Sequence, residues 1–409
     1  MRLHQTACVI AMAASLVPVH AQDWNQWRGP DRTGVTAAFT APASWPDRPV
    51  KAWQVNVGTG HASPVVSAGR AFQLSRIEEQ EVVTALEIAS GKQIWQQRYD
   101  APYEINPAAR AHGKGPKSTP IVSGDTLVTF GIDGILTAWE TTSGKIRWQK
   151  NYGKQFDALS PDFGVAMSPA IEGGVVVAHV GGNRSGALVA LDLATGSEKW
   201  AWKGDGPAYA SPVIAASGKI TQVITQSRSH VVGVDAATGS LLWSIPFTTD
   251  YAQNIVTPVI ARDVVIYSGL EKPLTAVRLV QSGRKWTPQP LWQNADVPLF
   301  MSSPVLSGDT LIGFTHRNKG QFFAVDVKTG KTLWTTRGRE AESAALVAAG
   351  DLFIATTTEG ELVVARRNPA KFDLIKRYTI AESPVWAHPA PAGGGVLIKD
   401  ADTLAYWTF

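Results

Sequence analysis

The chain has 409 residues, 44% of them hydrophobic and only 18% charged, so it can bury a large core and is neither disordered nor collagen-like. Its 38 basic and 34 acidic residues leave a formal charge of +4, too small and too dispersed to mark a nucleic-acid binder. Low charge with abundant Gly, Thr and Val favours strands over charged helices.

Residues 1–21 are predicted to be a secretory signal peptide. Arg2 gives a positive start, residues 6–17 an apolar stretch, and Val19, His20 and Ala21 an end suited to cleavage. Export to the periplasm or beyond the cell is therefore expected. Cys8 lies upstream of most of the apolar stretch, where it cannot become a lipidated residue after cleavage, so no lipid anchor is expected. Beyond residue 21 no cysteine remains, which excludes disulfides, thiolate metal sites and a cysteine nucleophile there. No later stretch is long and apolar enough for an integral membrane span. Residues 22–50, with Trp24, Trp27 and several prolines, read as an extended leader.

From residue 51 the chain repeats itself. The pattern Ala/Gly-x-Asp-x-x-Thr-Gly-x-x-x-Trp occurs as ALDLATGSEKW (190–200), GVDAATGSLLW (233–243) and AVDVKTGKTLW (324–334). Variant copies are ALEIASGKQIW (85–95) and TAWETTSGKIRW ending at Trp148, and a stretched copy runs from Ala276 to Trp292. Between them recurs Ser or Thr followed by Pro and an apolar run, at Ser63, Thr119, Ser168, Ser211, Thr257 and Ser303. Degenerate versions fall at Ala344-Ala345 and His388-Pro389. Successive steps of 56, 49, 43, 46, 46, 41 and 44 residues define eight units.

Each unit is predicted to hold four short strands. In one, SPVIAA (211–216), KITQVITQ (219–226), HVVGVD (230–235) and LLWSIPF (241–247) are separated by turn signals. Proline suits a strand start, where its missing N–H costs least. Gly196, Gly239 and Gly330 suit tight turns that need a positive φ. Four-stranded units repeated radially make a β-propeller, here all-β and eight-bladed with antiparallel blades. Trp95, Trp148, Trp200, Trp243, Trp292 and Trp334 are expected to lie between neighbouring blades, over the small residue ten positions earlier. The last unit supplies only three strands before Phe409. KAWQVNVG (51–58) is predicted to complete that blade and close the ring, with Trp53 in the tryptophan position. The leader is then expected to cross the ring as a strap.

The Asp-x-x-Thr-Gly-x-x-x-Trp repeats resemble the tryptophan-docking motif of the pyrroloquinoline quinone (PQQ)-like propellers. That family includes bacterial quinoprotein dehydrogenases and the BamB-type outer-membrane assembly factors. The resemblance covers residues 51–409 and implies the fold; it does not choose between catalytic and binding members.

Two sets of residues are expected on one face, which opens as a funnel. Three positions before each Pro, or its substitute, stand His61, Lys117, Ala166, Tyr209, Ile255, Met301, Glu342 and Trp386. Beyond each Pro, at the turn between second and third strands, stand Arg76, Asp133, Arg184, Arg228, Lys272, Arg317, Glu359 and Asp400. Five of these eight are basic, a modest bias that loop polarity alone can produce. As a binding face, the arginines would serve an acidic partner, peptide or small anion as bidentate donors. His61, Arg76, Lys117, Arg184, Tyr209, Arg228, Met301, Arg317, Glu342 and Trp386 are thus the candidate ligand- or partner-binding residues. Two long connections, Trp95 to Pro120 and Trp148 to Pro169, reach the same face, and the first is rich in Arg, Lys and His.

The expected function is a monomeric, exported binding or assembly scaffold with a protein or peptide partner and no cofactor. A BamB-like part in outer-membrane protein assembly is the specific version that the resemblance implies. The alternative is a quinoprotein oxidoreductase acting on an alcohol or sugar. It would need PQQ with Ca²⁺, with Glu342, Glu359 and Asp133 offering oxygens and Trp386 a stacking floor. Against it, the adjacent cysteine pair of alcohol-oxidising relatives and a haem Cys-x-x-Cys-His are both missing from the sequence.

Overall fold

In the computed structural model, residues 23–37, 39–156, 161–182, 185–218, 220–283 and 285–409 are described. The expected signal peptide and Arg184 lie outside them. Eight antiparallel sheets follow one another around a ring, each running from an innermost strand at the axis to an outer edge strand. Blade 1 comprises Val65–Ser67, Arg70–Ile77, Gln80–Glu87 and Gln93–Asp100, and blade 4 comprises Val213–Ser217, Ile220–Gln226, His230–Asp235 and Leu241–Pro246. Val50–Asn56 pairs antiparallel with Thr403–Thr408 and completes blade 8, so the ring closes as the sequence predicts. Among the described residues no helix is long and apolar enough to cross a membrane.

Two sets of hydrogen bonds join the blades. The first uses the tryptophans. The indole N–H of Trp53, Trp95, Trp148, Trp200, Trp292 and Trp334 each donates to a backbone carbonyl of the next blade at 2.7–3.0 Å. Five of these indoles lie against a turn glycine of that next blade: Gly91, Gly144, Gly196, Gly239 and Gly330. There φ is 70–74° and an added Cβ would fall within 2.4–2.8 Å of the preceding chain's side chains. Glycine is thus required twice, for its backbone angle and for the room it leaves.

Trp243 departs from this scheme. Its N–H donates to Gln222 Oε1 at 2.7 Å within its own blade. The reason lies in blade 5, where Lys272–Ser282 and Lys285–Asn294 form an extended hairpin. That hairpin moves the turn away from the indole, and Trp286 fills the interface beside Trp243, Tyr267 and Leu279 instead.

The second set explains the Ser/Thr of the Ser/Thr-Pro element. The backbone N–H of His388 donates to Ser63 Oγ, that of Ser63 to Thr119 Oγ1, and so on through Ser168, Ser211, Thr257 and Ser303. These bonds span 2.9–3.2 Å and run from blade to blade around the axis. At blade 7, where Ala344 has no hydroxyl, the Ala344 N–H turns to Ser302 Oγ, which also meets Ser343 Oγ at 3.1 Å. Pro cannot donate, so the preceding residue carries the bond, and its hydroxyl is the acceptor on the other side.

The leader does not cross the ring as a strap; it enters the central channel. Asp23 accepts bonds from Ser67 and Ala68 at the far end of blade 1's inner strand, and Trp24 bridges Val66. Asn25 exchanges bonds with Val122 of blade 2. The chain then reverses over residues 26–34, with the N–H of Gly29 bonded to Gln26 O and that of Gly34 to Arg28 O. It returns through Val35–Thr36, a strand parallel to the inner strand of blade 7, and reaches Gly393 at the turn of blade 8. Phe39 and Trp45 then pack on Phe409 outside the channel. Trp24 is 1% exposed, a degree of burial that a surface strap would not show.

Candidate functional site

The opposite mouth of the channel is an open cavity of about 450 Å³. Its wall includes all eight residues that precede the inner strands: His61, Lys117, Ala166, Tyr209, Ile255, Met301, Glu342 and Trp386. Antiparallel blades place these equivalent positions at one level around the axis, which is why a one-dimensional spacing becomes a ring. Ser63, Thr119, Ser211, Thr257 and Ser303 of the hydroxyl circle line the cavity below them, and Trp27 of the leader loop lines it from the axis.

The two long connections add to the wall. The first forms a short 3-10 helix, Pro107–His112, started by Asn106, whose side chain accepts the Ala108 N–H. It supplies Ala108 and His112, and the second supplies Phe163. The ring residues hold these connections in place. His61 Nε2 lies 3.0 Å from His112 O, Lys117 Nζ donates to Phe163 O at 2.8 Å, and the Phe163 N–H donates to the Tyr209 hydroxyl at 3.3 Å. Trp386, His112, Phe163 and Tyr209 consequently form an edge-to-face aromatic chain with centroid separations of 5.3, 6.5 and 5.9 Å.

Burial fixes the charge states. It pulls His61 down to about 4, with Lys117 nearby adding to the effect, and pulls His388 at the cavity base down to about 3. Both rings are neutral at pH 7. Lys117 is lowered to about 8 by desolvation and remains mostly protonated, while Tyr209 is pushed up and stays a phenol. Glu342 is exposed and, among the described residues, is the one carboxylate on the cavity wall.

The outer set of candidates does not converge on this cavity. Arg76 is 3% exposed and is tied to Glu78 O and to the Glu79 carboxylate at 2.7 Å. Arg317 pairs with Glu271 at 3.1 Å, and the Arg228 N–H bonds Gly206 O. None of these three, nor Asp133, Lys272, Glu359 or Asp400, lines the cavity. Turns between second and third strands share the face but stand at a larger radius, where Arg76 pairs within its own turn and Arg317 with the neighbouring blade. The oxygen set proposed for Ca²⁺ is likewise dispersed, since Glu342 reaches the cavity and Asp133 and Glu359 do not. Among the described residues no group of three or more His, Cys, Asp or Glu is placed to hold a metal ion. The described donors therefore do not fit a resident Ca²⁺ with its quinone.

Sequence reasoning missed Trp27, His112, Phe163, Phe300 and His388 as cavity residues. His112 and Phe163 lie in the long connections that were expected to reach this face, but irregular loops give no period from which to choose a residue. Trp27 carried no signal at all, because its position depends on the leader entering the channel.

Comparison with known proteins gives a consistent relationship. Residues 79–336 and 290–385 match the family model described as outer membrane protein assembly factor BamB. The protein of that name from Yersinia pestis is 25% identical over 258 residues, 58% of this chain and 60% of that protein. The Kangiella koreensis protein is 24% identical over 160 residues, 39% and 37% of the two chains. The matched stretches thus span about 60% or less of these relatives' own length. BamB from Moraxella catarrhalis superposes with a TM-score of 0.63 at 15% identity, over 88% of this chain and all of that one. A quinohemoprotein alcohol dehydrogenase from Comamonas testosteroni gives 0.68 at 14% identity, over 96% and 81%. At such identities the two structures speak for the shared fold alone.

Proposed function

Since the chain belongs to the BamB outer-membrane-assembly-factor family of PQQ-like propellers, we propose that it is an exported, non-catalytic scaffold that binds a protein partner in its funnel, as part of outer-membrane protein assembly. The supporting observation is the composition of the funnel. All eight blade entries and both long connections meet around one aromatic cavity that, among the described residues, carries a single carboxylate and no convergent metal donors. Such a wall suits the capture of apolar and aromatic side chains with a few oriented polar contacts. Among the described residues it does not gather the oxygen cage that a Ca²⁺-bound quinone requires.

The test is a titration of the purified protein with the periplasmic subunits of the outer-membrane assembly machinery from its own organism. PQQ with Ca²⁺ is titrated in parallel. Saturable binding to an assembly subunit, weakened at least tenfold by Trp386→Ala and by Met301→Asp, is the expected result. Saturable PQQ–Ca²⁺ binding with no affinity for any subunit would overturn the reading.

A further inference from the structure

The leader loop places two arginines where neither propeller strands nor solvent would put them. Arg28 and Arg32 are 2% and 6% exposed, at the turn of the loop inside the channel. Arg28 donates to Ser303 O at 2.7 Å, to Pro304 O and to Thr33 O at 2.8 Å, thereby grasping blade 6. Arg32 donates to Pro169 O at 2.8 Å, Ser168 O at 2.9 Å and Gln26 Oε1 at 3.0 Å, grasping blade 3 across the axis. Every acceptor is a neutral oxygen, and among the described residues no carboxylate pairs with either group. Positive φ at both arginines, 61° and 56°, holds the turn that aims them.

Neutral acceptors satisfy a guanidinium's donors without cancelling its charge. A buried charge of this kind is costly, and in a medium of low dielectric its field reaches further than in water. Both guanidiniums lie close to the ring of Trp27, at 5.4 and 5.7 Å from its centroid, and Trp27 lines the cavity. Ser303, whose carbonyl Arg28 holds, lines it as well. Of the groups that face this space, His61 and His388 are neutral and the half-buried His112 is lowered by desolvation. Among the described residues Lys117 and Glu342 are the charged groups on the wall; Arg28 and Arg32 beneath the floor add two positive charges, and Asp162 beside Tyr209 adds one negative charge.

We infer that the leader loop, residues 23–36, is a built-in plug that floors the funnel and sets its charge preference, so that the cavity admits an anionic ligand group, a carboxylate beside an apolar or aromatic moiety. The two guanidiniums act as positioning and selecting charges beneath the floor and do not touch the ligand. This deepens the reading of the funnel as a binding cavity and rests on it; an acidic peptide segment and a small organic acid would both satisfy it.

The test measures the local field without requiring the ligand. In the full chain with Cys8→Ser, a single thiol is introduced by Met301→Cys at the cavity wall, and in a control by Leu374→Cys on the exposed outer edge. Each is reacted with a negatively charged sulfonate and a positively charged trimethylammonium methanethiosulfonate. The expected ratio of anionic to cationic reaction rates is at least tenfold higher at the cavity thiol than at the control. Arg32→Met in the Met301→Cys background is expected to lower that ratio at least threefold with an unchanged circular dichroism spectrum. Arg32→Gln, which keeps donors for the Ser168 and Pro169 carbonyls, replaces it where Arg32→Met does not fold. A ratio equal to the control overturns the inference, as does a ratio unmoved by removing the Arg32 charge or abolished by Lys117→Met alone. A high, Arg32-dependent ratio without binding to assembly subunits would sink the partner and leave the charged floor standing. Indole-3-acetate and an acidic peptide of the same ring content, competing with the sulfonate reagent, separate the two ligand sources.

Discussion

Single side chains here do two jobs that a residue-by-residue reading merges. The Ser168 hydroxyl accepts the Thr119 N–H, and the Ser168 backbone N–H donates to the Ser211 hydroxyl, so one residue ties three blades. Ser168→Ala leaves a buried N–H without an acceptor, and a loss of about 1–3 kcal/mol is expected. Chemical denaturation compared with wild type checks this, and a loss below about 0.5 kcal/mol would mean the circle contributes little. Trp200 is buried against Gly239 and donates to Ala236 O. Trp200→Ala removes both the contact and the bond, and about 3–5 kcal/mol should be lost. Thermal melting shows it directly, since a near-wild-type midpoint would place the indole outside the blade interface.

At the scale of elements, the propeller was legible because its units repeat: six Ser/Thr-Pro starts with two degenerate ones, and the Thr-Gly-x-x-x-Trp ends, fix strand order, blade number and closure. The wall of the funnel followed from the same spacing, since positions three before each Pro come to one level. What could not be read is what breaks the period. The stretched copy from Ala276 gave no sign that Trp243 would bond within its own blade, which depends on how far the Lys272–Asn294 hairpin extends. The arginines at the outer turns carried the right charge for a binding face. Their radius, however, is set by blade packing, and Arg76 ends between Glu78 and Glu79. The leader's path needs the finished ring as its mould, so local sequence contains no trace of it. Closure makes its own prediction. Removing Val50–Asn56 exposes Thr403–Thr408 as an unpaired edge, and such a chain should aggregate, as size-exclusion chromatography would reveal. A monomeric, folded product would show that the ring holds without that strand.

The whole molecule stores its pH dependence in buried imidazoles. Burial lowers His61 and His179 to about 4 and His388 to about 3, from 6.5 in an unfolded chain. Below 6.5 the unfolded chain takes up these protons and the folded one does not. Unfolding is then favoured as pH falls, until the folded values near 4 are reached. Each fully buried histidine should cost about 1.4 kcal/mol per pH unit within that window. Glu81 works against them. It is buried under the Tyr99 hydroxyl and the Ile132 N–H, and desolvation raises its carboxyl, so the folded state holds that proton longer and gains from acid. Asp133 is raised by desolvation as well, and His112 is lowered, so four histidines against two carboxyls leave a net loss, and the melting temperature should fall from pH 6.5 to 4.5. His179→Gln isolates one share, because glutamine can still donate to Asp205 O, which His179 Nε2 meets at 3.1 Å. That variant should melt with a shallower pH slope than wild type. An equal slope would mean that the site takes up its proton without unfolding, through local opening around Asp205 and Trp202 rather than through the ring as a whole.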